Sequence, residues 1–192
     1  MEKLAQALGF GGILSKREIG HIISYFKVKK LTATSHFHLM HKISEQIAFV
    51  EKGILRVYSL EPNGNEVTKY FVRENQFAVD LESYYTSTPS KSAIQAVVNS
   101  EIYTIHKSIM TRLSEEIPNL FIFQKSITEA HLLNKIMDND FLNYGDSRTK
   151  YLEFVKRYPE LIKEVPQLYI ASYLKITPQS LSRIRKKLLK EE

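Results

Sequence analysis

Apolar and polar residues follow three different patterns along this chain. Residues 1–26 have apolar positions at helical spacing, and Ser15 is suited to cap the helix that follows it. From about residue 28 to residue 109, short β-type runs are separated by turn residues, and Asn63-Gly64 is a strong hairpin signal. The helical period returns over residues 112–192. Many short, regularly spaced strands predict a double-sheet jelly roll (a double-stranded β-helix), so we expect an α+β fold.

A long helix is predicted over Arg112–Tyr144. Two sets of residues seven positions apart form an a/d seam along this helix, with one polar member. The seam consists of Leu120, Phe123, Ile127, Ala130, Asn134 and Met137. Such a seam indicates dimerisation through two copies of the helix, in which Asn134 can set the register. The alternative is that the helix packs only on its own domain.

The stretch Val165–Leu188 has the pattern of a helix, a tight turn and a second helix. Pro166 suits the first position of the first helix, while Thr177 and Pro178 supply an N-cap hydroxyl and a proline that fits the next helix. Lys175 occupies the turn position that usually holds glycine, where a left-handed backbone costs about 1 kcal/mol. The spacing and the caps together predict a helix-turn-helix.

The polar face of the second helix carries groups that suit DNA. Arginine can bind a guanine edge with two donors and glutamine can bind an adenine edge, so Arg183 and Gln179 are predicted to contact bases. Ser180 and Ser182 are expected to assist them. Phosphate contacts are predicted for Gln167, Thr177, Lys186 and Lys187. The alternative is a solvated basic hairpin that binds an acidic protein and prefers no duplex sequence.

The distribution of charge favours a nucleic-acid partner. The formal net charge is +6, and residues 145–192 hold 11 Lys and Arg against 6 Asp and Glu, while residues 1–144 hold 16 against 15. The positive excess therefore lies on the segment with the helix-turn-helix pattern. This asymmetry is an argument about partners and not about the fold.

Composition and the absence of certain motifs exclude several classes of function. The chain has no cysteine, which excludes disulfides and clusters held by thiolates. It shows no signal-peptide pattern and no stretch as long as a membrane span, so we expect a cytoplasmic location and no membrane partner. It also lacks a Gly-rich phosphate loop and a G-x-S-x-G nucleophile elbow. We therefore predict no catalytic residues, no cofactor and no enzymatic activity.

The same patterns divide the chain into three parts. Residues 1–111 are expected to form the β-roll together with the N-terminal helices, residues 112–144 the long dimerisation helix, and residues 145–192 the helix-turn-helix domain. The turn-forming segment Asn143–Ser147 is the predicted hinge between the last two parts.

The order of β-roll, long helix, hinge and helix-turn-helix resembles the cyclic-AMP receptor protein (Crp/Fnr) family of bacterial transcription regulators. The resemblance covers nearly the whole chain and is most specific in the helix-turn-helix. The positions that fit the family pattern there are Gln167, Ala171, Thr177, Ser182, Arg183 and Leu188. The resemblance implies a homodimer that places two recognition helices in successive major grooves of double-stranded DNA, with RNA polymerase as a further partner.

The resemblance is weaker in the phosphate cassette that family members use to bind cyclic nucleotides. The corresponding stretch from Gln76 to Ala93 lacks the family's glycine and glutamate, and Lys91 stands where the family has arginine. Lysine meets a phosphate as a point charge and cannot form the bidentate fork of arginine. We therefore expect an unidentified small-molecule effector other than cyclic AMP, with Lys91 and Ser92 as candidate contacts. Alternatively, Lys91 is a solvated loop residue.

A histidine cluster in the β region leaves a second function open. His36 and His38 lie on one predicted strand with Glu45 downstream, which is similar to the first cupin motif. The gap between His38 and Glu45 is longer than that motif allows, and no second half supplies a further histidine. The alternative function is therefore a cupin-like metal-binding β-roll that uses His36 and His38. The regulator without a metal site is the first prediction.

Overall fold

The structure, a computed structural model, describes residues 1–143 and 145–191 of the chain. Its N-terminal segment consists of α1 (Glu2–Leu8), a 3₁₀ turn (Phe10–Gly12) and α2 (Lys16–Ile23). Ser15 caps α2, as the sequence predicts. Its hydroxyl accepts a hydrogen bond from the Glu18 N–H at 3.3 Å, and the Glu18 carboxylate accepts one from the Ser15 N–H at 2.7 Å. This reciprocal capping box fixes the start of the helix.

The predicted jelly roll is confirmed. Within the described residues, its strands are β1 (Lys27–Leu31), β2 (His36–His38), β3 (Gln46–Lys52), β4 (Leu55–Leu60), β5 (Glu66–Val72), β6 (Phe77–Ala78), β7 (Ala93–Ala96) and β8 (Ser100–His106). They form two antiparallel sheets, with strand orders β1-β8-β3-β6 and β2-β7-β4-β5. The short helix α3 (Leu81–Thr86) lies in the connection from β6 to β7. Mixed helices and antiparallel sheets make the fold α+β.

Two turns of the roll depend on glycine. Gly64 has φ +84° in the β4–β5 hairpin, which confirms the Asn63-Gly64 signal. Gly53 also has a positive φ of +102°, and a Cβ atom there would lie 2.3 Å from the Ser100 hydroxyl oxygen. The approach of β8 to the turn before β4 therefore requires glycine at this position.

Apolar side chains fill three layers. The space between the two sheets holds a cluster that includes Val50, Leu55, Val72, Ile94 and Ile102. The outer face of the β1-β8-β3-β6 sheet packs against the N-terminal helices and the helices that follow β8. The outer face of the other sheet packs against the C-terminal helices. Each face of the roll is thus covered by a different set of helices.

The single helix predicted over Arg112–Tyr144 is two helices in the structure. They are α4 (Lys107–Glu116) and α5 (Pro118–Asn143). Ile117 between them has φ −125° and ψ 89°. Pro118 causes the break because proline lacks the N–H that continues a helix and disfavours helical backbone in the residue before it.

The C-terminal part consists of α6 (Ser147–Arg157), α7 (Pro159–Glu164), α8 (Gln167–Tyr173) and α9 (Pro178–Glu191). Asp146 caps α6, because its Oδ1 accepts a hydrogen bond from the Thr149 N–H at 2.8 Å. In the predicted hinge, Gly145 has φ +89°. Tyr144, within that hinge, and Glu192 lie outside the described residues. Among the helices of residues 1–143 and 145–191, none has the length and apolar character of a membrane span.

Candidate nucleic-acid interface

The turn between α8 and α9 has the geometry that a helix-turn-helix requires. Lys175 adopts φ +56°, as predicted for a residue in the glycine position. Its N–H donates to the Ser172 carbonyl at 3.1 Å, and the Ile176 N–H donates to the Ala171 carbonyl at 3.0 Å. These bonds satisfy the last carbonyls of α8 and reverse the chain direction. Ala171 is fully buried, which lets the two helices cross closely.

Thr177 and Pro178 start α9 as the sequence predicts. The Thr177 hydroxyl oxygen accepts a hydrogen bond from the Ser180 N–H at 3.1 Å, and Pro178 is the first residue of the helix. The hydroxyls of Thr177 and Ser180 are 2.9 Å apart, and Arg183 Nη2 donates to the Ser180 hydroxyl at 3.4 Å. Pro166 is placed one position earlier than predicted, because α8 begins at Gln167 and Pro166 is its N-cap.

The two faces of α9 differ sharply in exposure. Leu181 is fully buried, and Ile184 and Leu188 pack partly into the same core. The opposite face is open to solvent. Gln179, Arg183, Lys186 and Lys187 are exposed there, and Ser180 and Ser182 at its edges are half-buried. Gln167 at the start of α8 and Thr177 in the turn are also exposed. The predicted DNA-binding residues are therefore accessible and lie on the two helices and the turn of one motif.

The core beneath the motif is aromatic and is hydrogen-bonded to α5. Phe154 is fully buried, with ring centroids 5.6 Å from Tyr173 and 5.5 Å from Tyr158. The hydroxyls of both tyrosines donate to the Asp138 carboxylate, at 2.5 Å from Tyr158 and 3.1 Å from Tyr173. Burial, and then Asp138, raise the pKa of both Tyr158 and Tyr173. Both hydroxyls therefore stay protonated and hold the domain on the end of α5.

Arg56 joins the roll to α8 and is a residue that the sequence did not single out. It lies on β4, is only 1% exposed, and its guanidinium carbon is 3.6 Å from the ring centroid of Tyr169 and 4.3 Å from that of Tyr58. Its Nε donates to the Gln95 side-chain oxygen at 2.8 Å, and Nη2 pairs with the Glu66 carboxylate. A planar guanidinium suits such stacking and pairing at once.

Further polar contacts fix the same interface. The Ser172 hydroxyl on α8 donates to the Glu66 carbonyl at 3.1 Å and accepts from the Thr68 N–H at 2.9 Å. The Arg73 guanidinium pairs with the Glu160 carboxylate at 2.6 Å. The helix-turn-helix is thus attached to the outer face of the β2-β7-β4-β5 sheet by stacking, by hydrogen bonds and by an ion pair.

Other proteins of known structure share this architecture. Neither the protein-family models nor the curated proteins show a match to this sequence. Solved structures do match. FixK2 from Bradyrhizobium japonicum has a TM-score of 0.73, at 14% identity over 86% of this chain and 85% of that one. A Crp/Fnr-family protein from Eubacterium rectale has a TM-score of 0.72, at 13% identity over 94% and 86% of the two chains. This chain has the Crp/Fnr fold.

A third similar structure is the c-di-GMP-responsive global regulator CLP from Xanthomonas campestris. Its TM-score is 0.71, at 11% identity over 92% of this chain and 93% of that one. The match covers nearly the whole of both chains, so the β-roll and the helix-turn-helix belong together in one Crp/Fnr fold. This confirms the resemblance found in the sequence at the level of architecture.

Several polar groups in the cassette region of this Crp/Fnr fold bond to one another. Lys91 is exposed, while Ser92 is buried and its hydroxyl accepts a hydrogen bond from Lys69 Nζ at 2.8 Å. The Asp80 carboxylate caps α3 by accepting from the Ser83 N–H at 3.1 Å, and it also accepts from the Ser90 hydroxyl at 2.5 Å. Lys91 and Ser92 therefore differ in exposure, and the Ser92 hydroxyl already has a partner within the chain.

The two histidines of the cupin-like alternative have separate surroundings. The pairing of β2 with β7 shifts register between His36 and His38. His36 Nε2 lies 3.0 Å from the Tyr58 hydroxyl, while His38 is buried. Burial lowers the pKa of both rings. Across the described residues, no group of three His, Asp or Glu side chains is placed to hold a metal ion.

The predicted dimer seam on α5 is divided between two environments. Leu120 and Phe123 are only 1% and 4% exposed and belong to the core beside the β1-β8-β3-β6 sheet, against which Ile127 also packs. Ala130 is half-buried, and Asn134 and Met137 are exposed. Leu120 and Phe123 therefore leave no free surface for a second chain.

Proposed function

We propose that this protein is a sequence-specific DNA-binding transcription regulator that acts as a homodimer. The single observation that carries the proposal is the solvent-exposed face of α9, where Gln179, Arg183 and Lys186 point away from the core on a capped second helix. The positive charge excess of residues 145–192 supports it. The regulators that share the fold, such as CLP, support the same class of function.

Each exposed side chain has a chemical role in the proposal. Arg183 offers two parallel donors for the O6 and N7 atoms of guanine, and the Gln179 amide matches the N6 and N7 edge of adenine. Ser180 and Ser182 assist from the edges of the same face. Phosphate contacts come from Gln167, Thr177, Lys186 and Lys187, which give affinity and orientation without reading sequence. The direct test is selection of bound sequences from a pool of random duplexes, where the proposal requires enrichment of a motif.

Dimerisation is proposed through the outward face of α5. The large apolar side chains left exposed there are Phe121, Ile122, Leu132, Leu133, Ile136 and Met137. They lie opposite Leu120 and Phe123, so α5 has one apolar face for its own core and a second face that is unpaired. A second copy of the same helix covers such a strip in a parallel coiled coil. Of the seam residues predicted from the sequence, Met137 also belongs to this proposed interface.

The dimer proposal predicts that Leu133→Asp converts the protein to a monomer, because a carboxylate cannot be buried against the partner helix without a large desolvation cost. Sedimentation equilibrium of the variant and the wild type measures the mass. Leu60→Asp is the matched control, because Leu60 is exposed on the β4–β5 hairpin. We expect the control to remain dimeric. A monomeric wild type, or a dimeric Leu133→Asp variant, would contradict the interface.

Control by a small molecule is part of the proposed function. The roll is coupled to α8 by Arg56 and Ser172 and to the C-terminal core by α5, so a change in the roll can alter the spacing of two recognition helices in a dimer. A ligand achieves this only if it binds the two arrangements with different affinity. The effector in this proposal is not cyclic AMP, because the cassette lacks the family's glycine, glutamate and arginine.

A further inference from the structure

An apolar cavity lies between the outer face of the β1-β8-β3-β6 sheet and α5. Its volume is about 270 Å³, close to the lower end of the roughly 300–1,000 Å³ typical of small-molecule sites. Its walls are aliphatic and aromatic and include Phe26, Ile47, Phe77, Tyr84, Phe123 and Ile127. Phe77, Tyr84 and other residues of the cassette stretch line it, whereas Lys91 and Ser92, the candidate anion contacts of that stretch, do not.

One end of this cavity is cationic. His131 and Lys135 lie one turn apart on α5 and both line it. Although Lys135 is exposed as a residue, its ammonium lies 3.9 Å from the ring centroid of Tyr70, and burial of the ammonium and then Lys69 lower its pKa. Burial, followed by the charge of Lys135, lowers the pKa of His131. Basic groups are therefore concentrated where the apolar surface ends.

In the part of the chain that the structure describes, no carboxylate contacts the cationic end of the cavity directly. Among the described residues, the Lys135 ammonium contacts the Tyr70 ring and has no Asp or Glu oxygen at ion-pair distance. The acidic group that raises its pKa is Asp80. The carboxylate of Asp80 is already engaged by the Ser83 N–H and the Ser90 hydroxyl. A ligand with one negative charge at this end would supply a direct partner that the described residues do not provide.

We propose that this cavity binds a small amphipathic anion, an alkyl or aryl carboxylate whose apolar body lies among the aromatic and aliphatic walls and whose carboxylate meets Lys135 and His131. Charge complementarity selects the anion, and the apolar walls favour an unbranched or aromatic body over a sugar. The binding itself does not depend on the DNA-binding proposal. Its regulatory consequence does rest on that function, because the ligand would press on α5 beside the exposed face assigned to the dimer.

The binding test uses a tryptophan reporter, because the chain contains no tryptophan. Tyr85 lines the cavity and is exposed, so Tyr85→Trp places a fluorophore at its mouth without disturbing the core. The full-length variant is titrated with octanoate, octan-1-ol and octylammonium, which share one chain and differ in the head group. We expect octanoate to bind at least about tenfold more tightly than octan-1-ol, and octylammonium to bind most weakly.

Lys135→Met in the same reporter background tests the head-group contact. We expect it to remove the preference for octanoate and to leave octan-1-ol binding unchanged. Lys125→Met is the matched control, because Lys125 is exposed on the same helix and does not line the cavity. Absence of a fluorescence change with all three ligands, equal affinity for octanoate and octan-1-ol, or an unchanged preference in Lys135→Met would overturn the proposal. None of these measurements involves DNA, so their failure is distinct from failure of the regulator proposal.

Discussion

Replacing Arg183 with alanine is expected to weaken binding to the preferred duplex by about 1–3 kcal/mol, or roughly 5–150-fold, and to relax specificity at one base pair. The reason is geometric. Arg183 is exposed on α9, and its one hydrogen bond among the described residues is the long contact to the Ser180 hydroxyl at 3.4 Å. Its guanidinium is thus available to form two parallel hydrogen bonds with a guanine, and alanine removes both.

Fluorescence anisotropy with the preferred duplex and with duplexes altered at single base pairs measures this effect. Arg183→Lys is the matched control, because it keeps the charge and loses the planar fork. We expect Arg183→Lys to bind unrelated duplexes like the wild type and to lose discrimination at the same base pair as Arg183→Ala. If Arg183→Lys discriminates as well as the wild type, Arg183 acts only as a charge and the base-contact assignment is wrong.

Phe154→Ala is expected to destabilise the C-terminal helices by about 3–5 kcal/mol. Phe154 is fully buried at the centre of the aromatic core, with its ring 6.5 Å from that of Phe71 on β5 and 5.6 Å from that of Tyr173 on α8. Its truncation removes contacts within the helix-turn-helix domain and between that domain and the roll. The cavity that remains cannot be filled by Tyr173, whose hydroxyl is held by Asp138.

Urea unfolding followed by circular dichroism gives the free energy of unfolding for this variant. Leu152→Ala is the control on the same helix, because Leu152 is exposed and its truncation opens no cavity. We expect a change of less than about 1 kcal/mol for the control. Similar losses for the two variants would mean that the aromatic core does not hold the domain together.

Much of the fold could be predicted because local rules and the tertiary structure agree. The Asn63-Gly64 hairpin, the Ser15 cap and the Thr177-Pro178 start of α9 each follow from a short sequence with a known backbone preference. The break at Pro118 was missed because the apolar period runs through it without interruption. Because a proline inside a helical pattern usually breaks the helix, Pro118 itself marks the start of α5 more reliably than the spacing of apolar residues does.

The seam on α5 shows a limit of periodicity. A helix with apolar residues on two faces produces more than one seven-residue series, and the sequence does not say which series meets its own roll. The structure assigns Leu120 and Phe123 to the roll and leaves Leu133 and Ile136 outside. The sequence also does not predict the contact between Arg56 and Tyr169. An arginine in a strand is usually exposed, and only the docking of α8 on β4 and β5 makes it buried.

Selection of bound sequences from random duplexes at physiological salt measures whether two copies of α9 recognise a DNA sequence. We expect enrichment of a palindrome whose half-sites are about one helical turn, roughly 10 base pairs, apart. Enrichment of such a motif would give both the operator and the dimeric geometry. Binding without any enriched sequence, lost steeply as salt rises, would show that α9 does not recognise a sequence and is only a basic surface that attracts phosphates.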